Sequence, residues 1–303
     1  MTGAQDGIIL CNKPPGITSS DLVVRVRRSL GVKMGHAGTL DKFAEGLLIL
    51  LSGRASSFSS HFLGMDKCYE AVLQFGRFTD THDPEGETVE ERSEEESRAF
   101  IKEHSSEIAG KLREFESQTE QIPPVYSALK IEGRRYSDIA RRSAPVVPQP
   151  RAVRIYRSEL LSIDLDACRI TCRFDVASGT YIRSIARDLS YALHFPLHIR
   201  RLIRLSTGPF QLSYASPADG PYTIRSVADC LDWPSLTVTD VQIEWVRVGR
   251  PFQIASFEEG HPLDEGCDFF LKDANGRILA WAIAEGEAFR YRRVFMRDGL
   301  DGI

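Results

Sequence analysis

Three residues of this 303-residue chain stand where their type and surroundings allow chemistry. Asp41 lies in Gly35–Gly46, G-H-A-G-T-L-D-K-F-A-E-G, which packs three glycines, one histidine and one aspartate into a dozen residues. Such a segment, running straight into the apolar Leu47–Leu51, holds one reactive carboxylate in fixed geometry. Tyr69 shares a strand face with Ala71, Leu73 and Phe75, a placing more often of a packed tyrosine than of a catalytic one. Arg183 falls in the first turn of a helix, where a cation is disfavoured, so a carboxylate or phosphate is expected close by. His36 could pair with Asp41, but five residues of glycine-rich loop do not fix that.

Other chemistries are not signalled. The chain has no Walker loop, no G-x-G-x-x-G and no H-E-x-x-H. Ser52–Ser60 lacks the nucleophile-elbow pattern. Six scattered cysteines without a C-x-x-C pair argue against a zinc site and a disulfide framework, and favour a reducing cytoplasm. Taken alone, these residues describe a cofactor-free enzyme or an RNA-binding module.

The elements that must position them are readable in order. Gly7–Asn12 is an apolar strand stopped by Pro14-Pro15-Gly16. Thr18–Asp21 supplies N-cap candidates for a helix with Leu22, Val23, Val26 and Leu30 at helical spacing and Gly31 as its stop. Arg25, Arg27 and Arg28 lie on its polar face, with Lys33 beyond: a solvated face or a phosphate-facing stripe. Ala44–Leu51 reads as a buried helix. Lys67–Gly76 is a strand, and a charged helix starts near Ser93. Ile163–Val176 alternates as a strand, making Cys168 and Cys172 small core residues. Tyr181 to about Leu193 is the helix that carries Arg183. From Pro234 the chain turns to short strands, with a hairpin around Asn275-Gly276, a β-domain of about 70 residues.

Charge is divided unevenly. Asp80–Glu120 holds 14 acidic and 5 basic residues, a net −9, so the remainder carries +5 beneath the overall −4. A mildly basic body neither excludes nor establishes an RNA partner. Within 121–150, Lys130, Arg134, Arg135, Arg141 and Arg142 interleave with Tyr126 and Tyr136 between prolines, suiting a segment that closes on nucleic acid or a long surface excursion. No apolar run approaches the roughly 20 residues of a membrane span. Without a coiled-coil heptad or a clear apolar patch, a monomer is expected.

Seven blocks in order resemble the TruB family of tRNA pseudouridine synthases: K-P-P-G-I-T-S-S (13–20), G-H-A-G-T-L-D (35–41), K-C-Y-E-A (67–71), T-D-T-H-D-P-E-G (79–86), P-P-V-Y-S-A-L-K (123–130), S-G-T-Y-I-R-S-I (178–185) and L-I-R-L-S-T-G-P-F (202–210). The resemblance implies an α+β fold, a mixed, mainly antiparallel sheet flanked by helices over 1–233, with 121–150 as an RNA clamp and 234–303 as a PUA-like β-domain. It implies isomerisation of uridine to pseudouridine at position 55 in the T-loop of tRNA, without cofactor, metal or obligatory protein partner. By the same resemblance Asp41 is the nucleophile, attacking ribose C1′ or uracil C6 of a flipped nucleotide. Tyr69 stacks on the base and is a candidate for proton transfer, and Arg183 pairs with Asp41. His36 helps open the loop and bind the nucleotide. Tyr181 and Leu202 contact the base, Lys13 and Asp83 support the site, and Tyr126 belongs to the RNA-binding set.

A flipped base gives up stacking worth a few kcal/mol and needs aromatic replacement. An aspartate in a desolvated pocket stays ionised when a guanidinium pairs with it. The chain departs from the family pattern at Lys42-Phe43, where proline and leucine are usual, at Glu45, where a small hydroxyl residue is usual, and at Ile203, where a basic residue is common. Two other readings are a synthase for another RNA and an RNA-binding or RNA-folding protein with vestigial catalysis, for which Lys42 is the clue.

Overall fold

The computed structural model describes residues 6–125, 130–131, 134–135, 148–254 and 263–295. Tyr126 and most of the basic stretch within 121–150 lie outside these residues.

The first helix, Ser19–Leu30, forms for reasons visible in its ends. Thr18 and Asp21 make a capping box: the Asp21 amide donates to Thr18 Oγ1 (3.1 Å) and the Thr18 amide donates to Asp21 Oδ2 (2.9 Å). An N-cap of this kind contributes about 1 kcal/mol. Gly31 closes the helix at φ 68°, and Leu22 and Val26 face the core.

The central sheet runs in the order Gly7–Lys13, Glu45–Ser52, Leu197–Thr207, Lys67–Phe75, Arg169–Val176, Ile155–Asp164. Met34–Ala37 adds beside Glu45–Ser52, and Phe210–Gln211 beside Leu197–Thr207. One junction is parallel, where Ile203 faces Glu45 and Arg204 faces Gly46; the other pairings of this sheet are antiparallel. This is the mixed, mainly antiparallel α+β architecture expected.

Glu45–Ser52 is a strand, not the helix expected over Ala44–Leu51. Its side chains divide between two cores. Leu48 and Leu50 pack on the face bearing the helices Ser19–Leu30, Glu94–Glu114 and Ile182–Leu193, while Leu47, Ile49 and Leu51 pack on the other. A strand buried on both faces needs apolar residues at every position, which erases the period-two signal. Truncating such a leucine to alanine costs about 2–5 kcal/mol.

The expected strand Ile163–Val176 is two elements. Ile163 and Asp164 end Ile155–Asp164, residues 165–168 form a turn with Cys168 at φ 53°, and Arg169–Val176 returns. Ile170, Cys172, Phe174 and Val176 are buried in that return strand, and Cys168 is buried in the turn.

A second sheet pairs Ser235–Thr237, Asp268–Lys272, Ile278–Glu285 and Ala288–Val294 in that order. The Asn275-Gly276 hairpin is present, with Asp273 Oδ1 accepting from the Asn275 and Arg277 amides (both 2.9 Å). The short strands are interrupted by a helix, Asp240–Arg247, capped by Thr239. This sheet does not hang free. Phe58, in the turn that follows Glu45–Ser52, stacks on Trp281 (5.1 Å) and Phe295 (5.3 Å), and Trp233 lies 5.0 Å from Phe270. Phe270, Ile278, Trp281 and Phe295 join the core beneath the central sheet.

Among the described residues no helix is long and apolar enough to cross a membrane.

Candidate active site

A cleft of about 260 Å³ opens where the Asp41 loop meets the start of the helix Ile182–Leu193. Gly38 to Asp41, Tyr69, Gly179 to Arg183 and Leu202 line it, with Leu63, Lys67 and Arg204 completing the wall. The volume lies below the roughly 300–1,000 Å³ typical of drug-sized ligands.

Asp41 and Arg183 meet at the mouth. Arg183 Nε stands 2.9 Å from Asp41 Oδ2, and Nη2 donates to Oδ1 at 3.1 Å. No acidic side chain lies in the first turn of Arg183's own helix, so carboxylates from other elements balance it. Behind the pair, Asp83 Oδ2 lies 3.5 Å from Arg183 Nη1, both side chains 6% exposed. Asp83 Oδ1 accepts from Thr81 Oγ1 (2.6 Å) and from the Glu85 amide (3.0 Å). Burial raises the Asp83 pKa above its ordinary value, while the Thr81 hydroxyl and the Arg183 charge oppose that rise. His82, beside it at φ 62°, is pushed down to about 4 by burial and by the charges of Arg187 and Arg183. At neutral pH it adds no positive charge to this corner.

The Asp41 loop is held from several sides. Ser19 Oγ donates to the Leu40 carbonyl (3.1 Å) and accepts from its amide (2.9 Å). The Lys42 carbonyl accepts from the Gly16 amide (2.8 Å) and from Lys13 Nζ (3.3 Å). Lys13 is fully buried and also donates to the Pro14 and Ile17 carbonyls (2.9 and 2.7 Å). Burial lowers its pKa to about 8, against a smaller opposing effect of Asp41.

Tyr69 is half-buried on its strand, with Phe174 and Arg204 opposite on the flanking strands. Leu202 is buried and reaches the cleft from Leu197–Thr207. Tyr181 is the N-cap of its helix; the Gln121 side chain accepts from its amide (2.9 Å) and donates to its carbonyl (3.1 Å).

The structure thus brings Asp41, Tyr69, Tyr181, Arg183 and Leu202 to one cleft. Lys13 and Asp83 lie behind it, Lys13 bonded to the Lys42 carbonyl of the Asp41 loop and Asp83 paired with Arg183. His36 is half-buried on Met34–Ala37, outside the lining, with its pKa lowered by burial and by Arg204. Tyr126 lies outside the described residues.

Sequence reasoning missed Lys67 and Arg204 as lining groups. Their signal was an inward strand position: Arg204 is buried two residues after buried Leu202, and Lys67 begins the Tyr69 strand. The departures at Lys42, Phe43 and Glu45 are accommodated. Phe43 is in the core, Glu45 pairs with Arg201, and Lys42 Nζ lies 3.6 Å from Glu85 Oε1.

A carboxylate open to the cleft, held by a buried guanidinium beside an aromatic ring, can act as a nucleophile on a flat ligand sandwiched over it. Sequence comparisons with known proteins agree on one family. A sequence model described as TruB family pseudouridylate synthase (N terminal domain) matches residues 26–182. The chain is 38% identical to tRNA pseudouridine synthase B of Leptospira interrogans, with 98% of this chain and 96% of that protein covered. The protein of the same name from Caldanaerobacter subterraneus is 32% identical, with 96% and 99% covered. Among solved structures, one described as a crystal structure of a Cbf5–Nop10–Gar1 complex matches with a TM-score of 0.67 at 21% identity. It covers 96% of this chain and 85% of that one, a likeness of fold.

Proposed function

The chain belongs to the TruB family of pseudouridylate synthases, and from that premise we propose that it isomerises uridine to pseudouridine in tRNA, at position 55 of the T-loop. The observation that carries this reading is the Asp41–Arg183 ion pair, in contact through both carboxylate oxygens, at the mouth of the cleft.

The target nucleotide leaves its stack and enters the cleft, where Tyr69 and Tyr181 offer aromatic surface in place of the lost neighbours. Asp41 attacks ribose C1′ or uracil C6 as the nucleophile. The N1–C1′ bond breaks, the base turns, C5 bonds to C1′, and the bond to Asp41 breaks to return the free carboxylate. Closing the cycle moves a proton from C5 and delivers one to N1, with Tyr69 as the candidate carrier. Arg183 holds and aims Asp41. Asp83 and Lys13 act through it and through the Lys42 carbonyl respectively, as positioning groups. Leu202 forms apolar wall. His36, outside the lining, helps open the loop and bind the nucleotide, and Tyr126 belongs to the RNA-binding set.

The catalytic portion spans 1–233, with 121–150 as a clamp, and 234–303 is a PUA-like β-domain; the protein works as a monomer in the cytoplasm. Specificity follows from RNA shape and phosphate contacts.

The test is direct. Unmodified tRNA transcript is incubated with the protein and with Asp41→Asn, and pseudouridine is mapped. Product at the T-loop from the wild type alone is the expected result. Binding without product from either protein would instead favour an RNA-binding protein with vestigial catalysis.

A further inference from the structure

Arg204 is one of the largest fully buried side chains, yet it carries a permanent charge. Taking a guanidinium out of water costs several kcal/mol, and an apolar side chain of similar volume is often no less stable in such a place. Its bonds indicate what the charge is for. Nε donates to the Leu47 carbonyl (2.7 Å), and Nη2 donates to the Gly38 carbonyl (2.9 Å). Those two carbonyls flank Asp41, one in the loop before it and one in the strand Glu45–Ser52 that follows.

The contact is tight at Gly46, where φ is 106° and an added Cβ would lie 2.4 Å from the Arg204 carbonyl oxygen and 2.7 Å from its amide nitrogen. At Gly38, φ is 91°, and an added Cβ would be in ordinary contact with Arg204 Nη1, at 3.4 Å. One of the motif's glycines therefore serves close approach to this residue's backbone. The middle of the loop is held by Lys13, Gly16 and Ser19, all from one stretch on one side. Arg204 comes instead from the strand that brings Leu202 into the cleft, and it faces Tyr69 across the sheet.

We propose that Arg204 is a positioning residue for the reaction: its guanidinium ties the chain on both sides of Asp41 to the strand forming the cleft wall, and so sets the carboxylate's place against Arg183 and the base. The inference rests on the reading of Asp41 as the nucleophile. Charged donors suit the task because bonds from an ion to a carbonyl are stronger than neutral ones. Lysine offers a point charge and cannot fork to both carbonyls.

The test uses Arg204→Met, which fills the volume without the donors, and Arg204→Lys, assayed on tRNA transcript for kcat and KM separately. A misplacement of about 1 Å costs on the order of a hundredfold in rate. The expected result for folded Arg204→Met is a kcat loss of about that size, with KM within about threefold and partial recovery in added guanidinium. Arg204→Lys is expected between the two. Wild-type kcat in folded Arg204→Met, or a loss confined to KM, overturns the proposal. If Arg204→Met does not fold, Arg204→Lys decides: about tenfold lower kcat at unchanged KM supports it, and wild-type kcat overturns it. Failure of both variants to fold makes Arg204 a scaffold residue and overturns it too. Asp41→Asn runs in parallel, since turnover surviving that change removes the nucleophile reading whatever the Arg204 variants do.

Discussion

Asp41 and Arg183 lie 142 residues apart in sequence and meet through both carboxylate oxygens. Their exposures differ: 39% of the Asp41 side chain is open and 6% of Arg183. The arginine is the wall and the aspartate the working surface. Lysine cannot reproduce the fork. Arg183→Lys is therefore expected to lower turnover on the order of a hundredfold, the scale of losing one preorganised electrostatic contact, while RNA affinity stays within a few-fold. Single-turnover rates and filter binding measure the two, and near-normal turnover would show that the pairing does not serve the reaction.

Asp83 separates stability from activity. Burial raises its pKa, so the folded chain holds this proton more tightly than the unfolded chain, whose value is near 3.8. The contribution favours folding at low pH and is lost as pH climbs from there through the folded value. Asp83→Asn removes that loss and keeps an acceptor for Thr81 and the Glu85 amide, but withdraws a negative charge from Arg183. The variant should gain stability relative to wild type as pH rises above 3.8, and turn over about tenfold more slowly. Urea unfolding across pH, beside kcat, would contradict this if both quantities fell together at neutral pH.

Lys13 has the opposite sign. Its pKa is about 8 folded against 10.5 unfolded, so between these values the unfolded chain binds more protons and stability rises with pH. Lys67, also lowered to about 8, behaves alike but is common to wild type and variant. The stability of wild type minus Lys13→Met should therefore grow from pH 8 to 10.5, read from thermal midpoints. A flat difference would mean that the buried amine is not desolvated as placed.

Lys42 tests the vestigial reading. Its side chain is 55% exposed and its contact with Glu85 is long, an arrangement worth about 0–1 kcal/mol. What Lys13 and Gly16 grip is its carbonyl, which any residue supplies. Lys42→Ala is expected to keep turnover within about threefold, as one exposed pair allows. A larger loss would place the ammonium on the RNA or the reaction.

Much of this was legible in the residues because local rules governed them. The capping box of Thr18 and Asp21, the stop at Gly31 and the hairpin at Asn275-Gly276 depend on near neighbours. Arg183 announced its need for an anion through its place in a first turn, and Asp41 and Asp83 answer it. Leu47–Leu51 misled because burial on both faces hides the strand period. Arg204 was passed over because its task depends on a parallel pairing with Gly46, a long-range contact that periodicity does not encode.

The aromatic junction of Phe58, Trp233, Phe270, Trp281 and Phe295 has a mechanical consequence. Because the second sheet is welded to the first through a common core, opening the angle between them would expose large rings to water. The span from cleft to second sheet is therefore a fixed gauge. An RNA that touched both would have to arrive with matching dimensions or bend to acquire them.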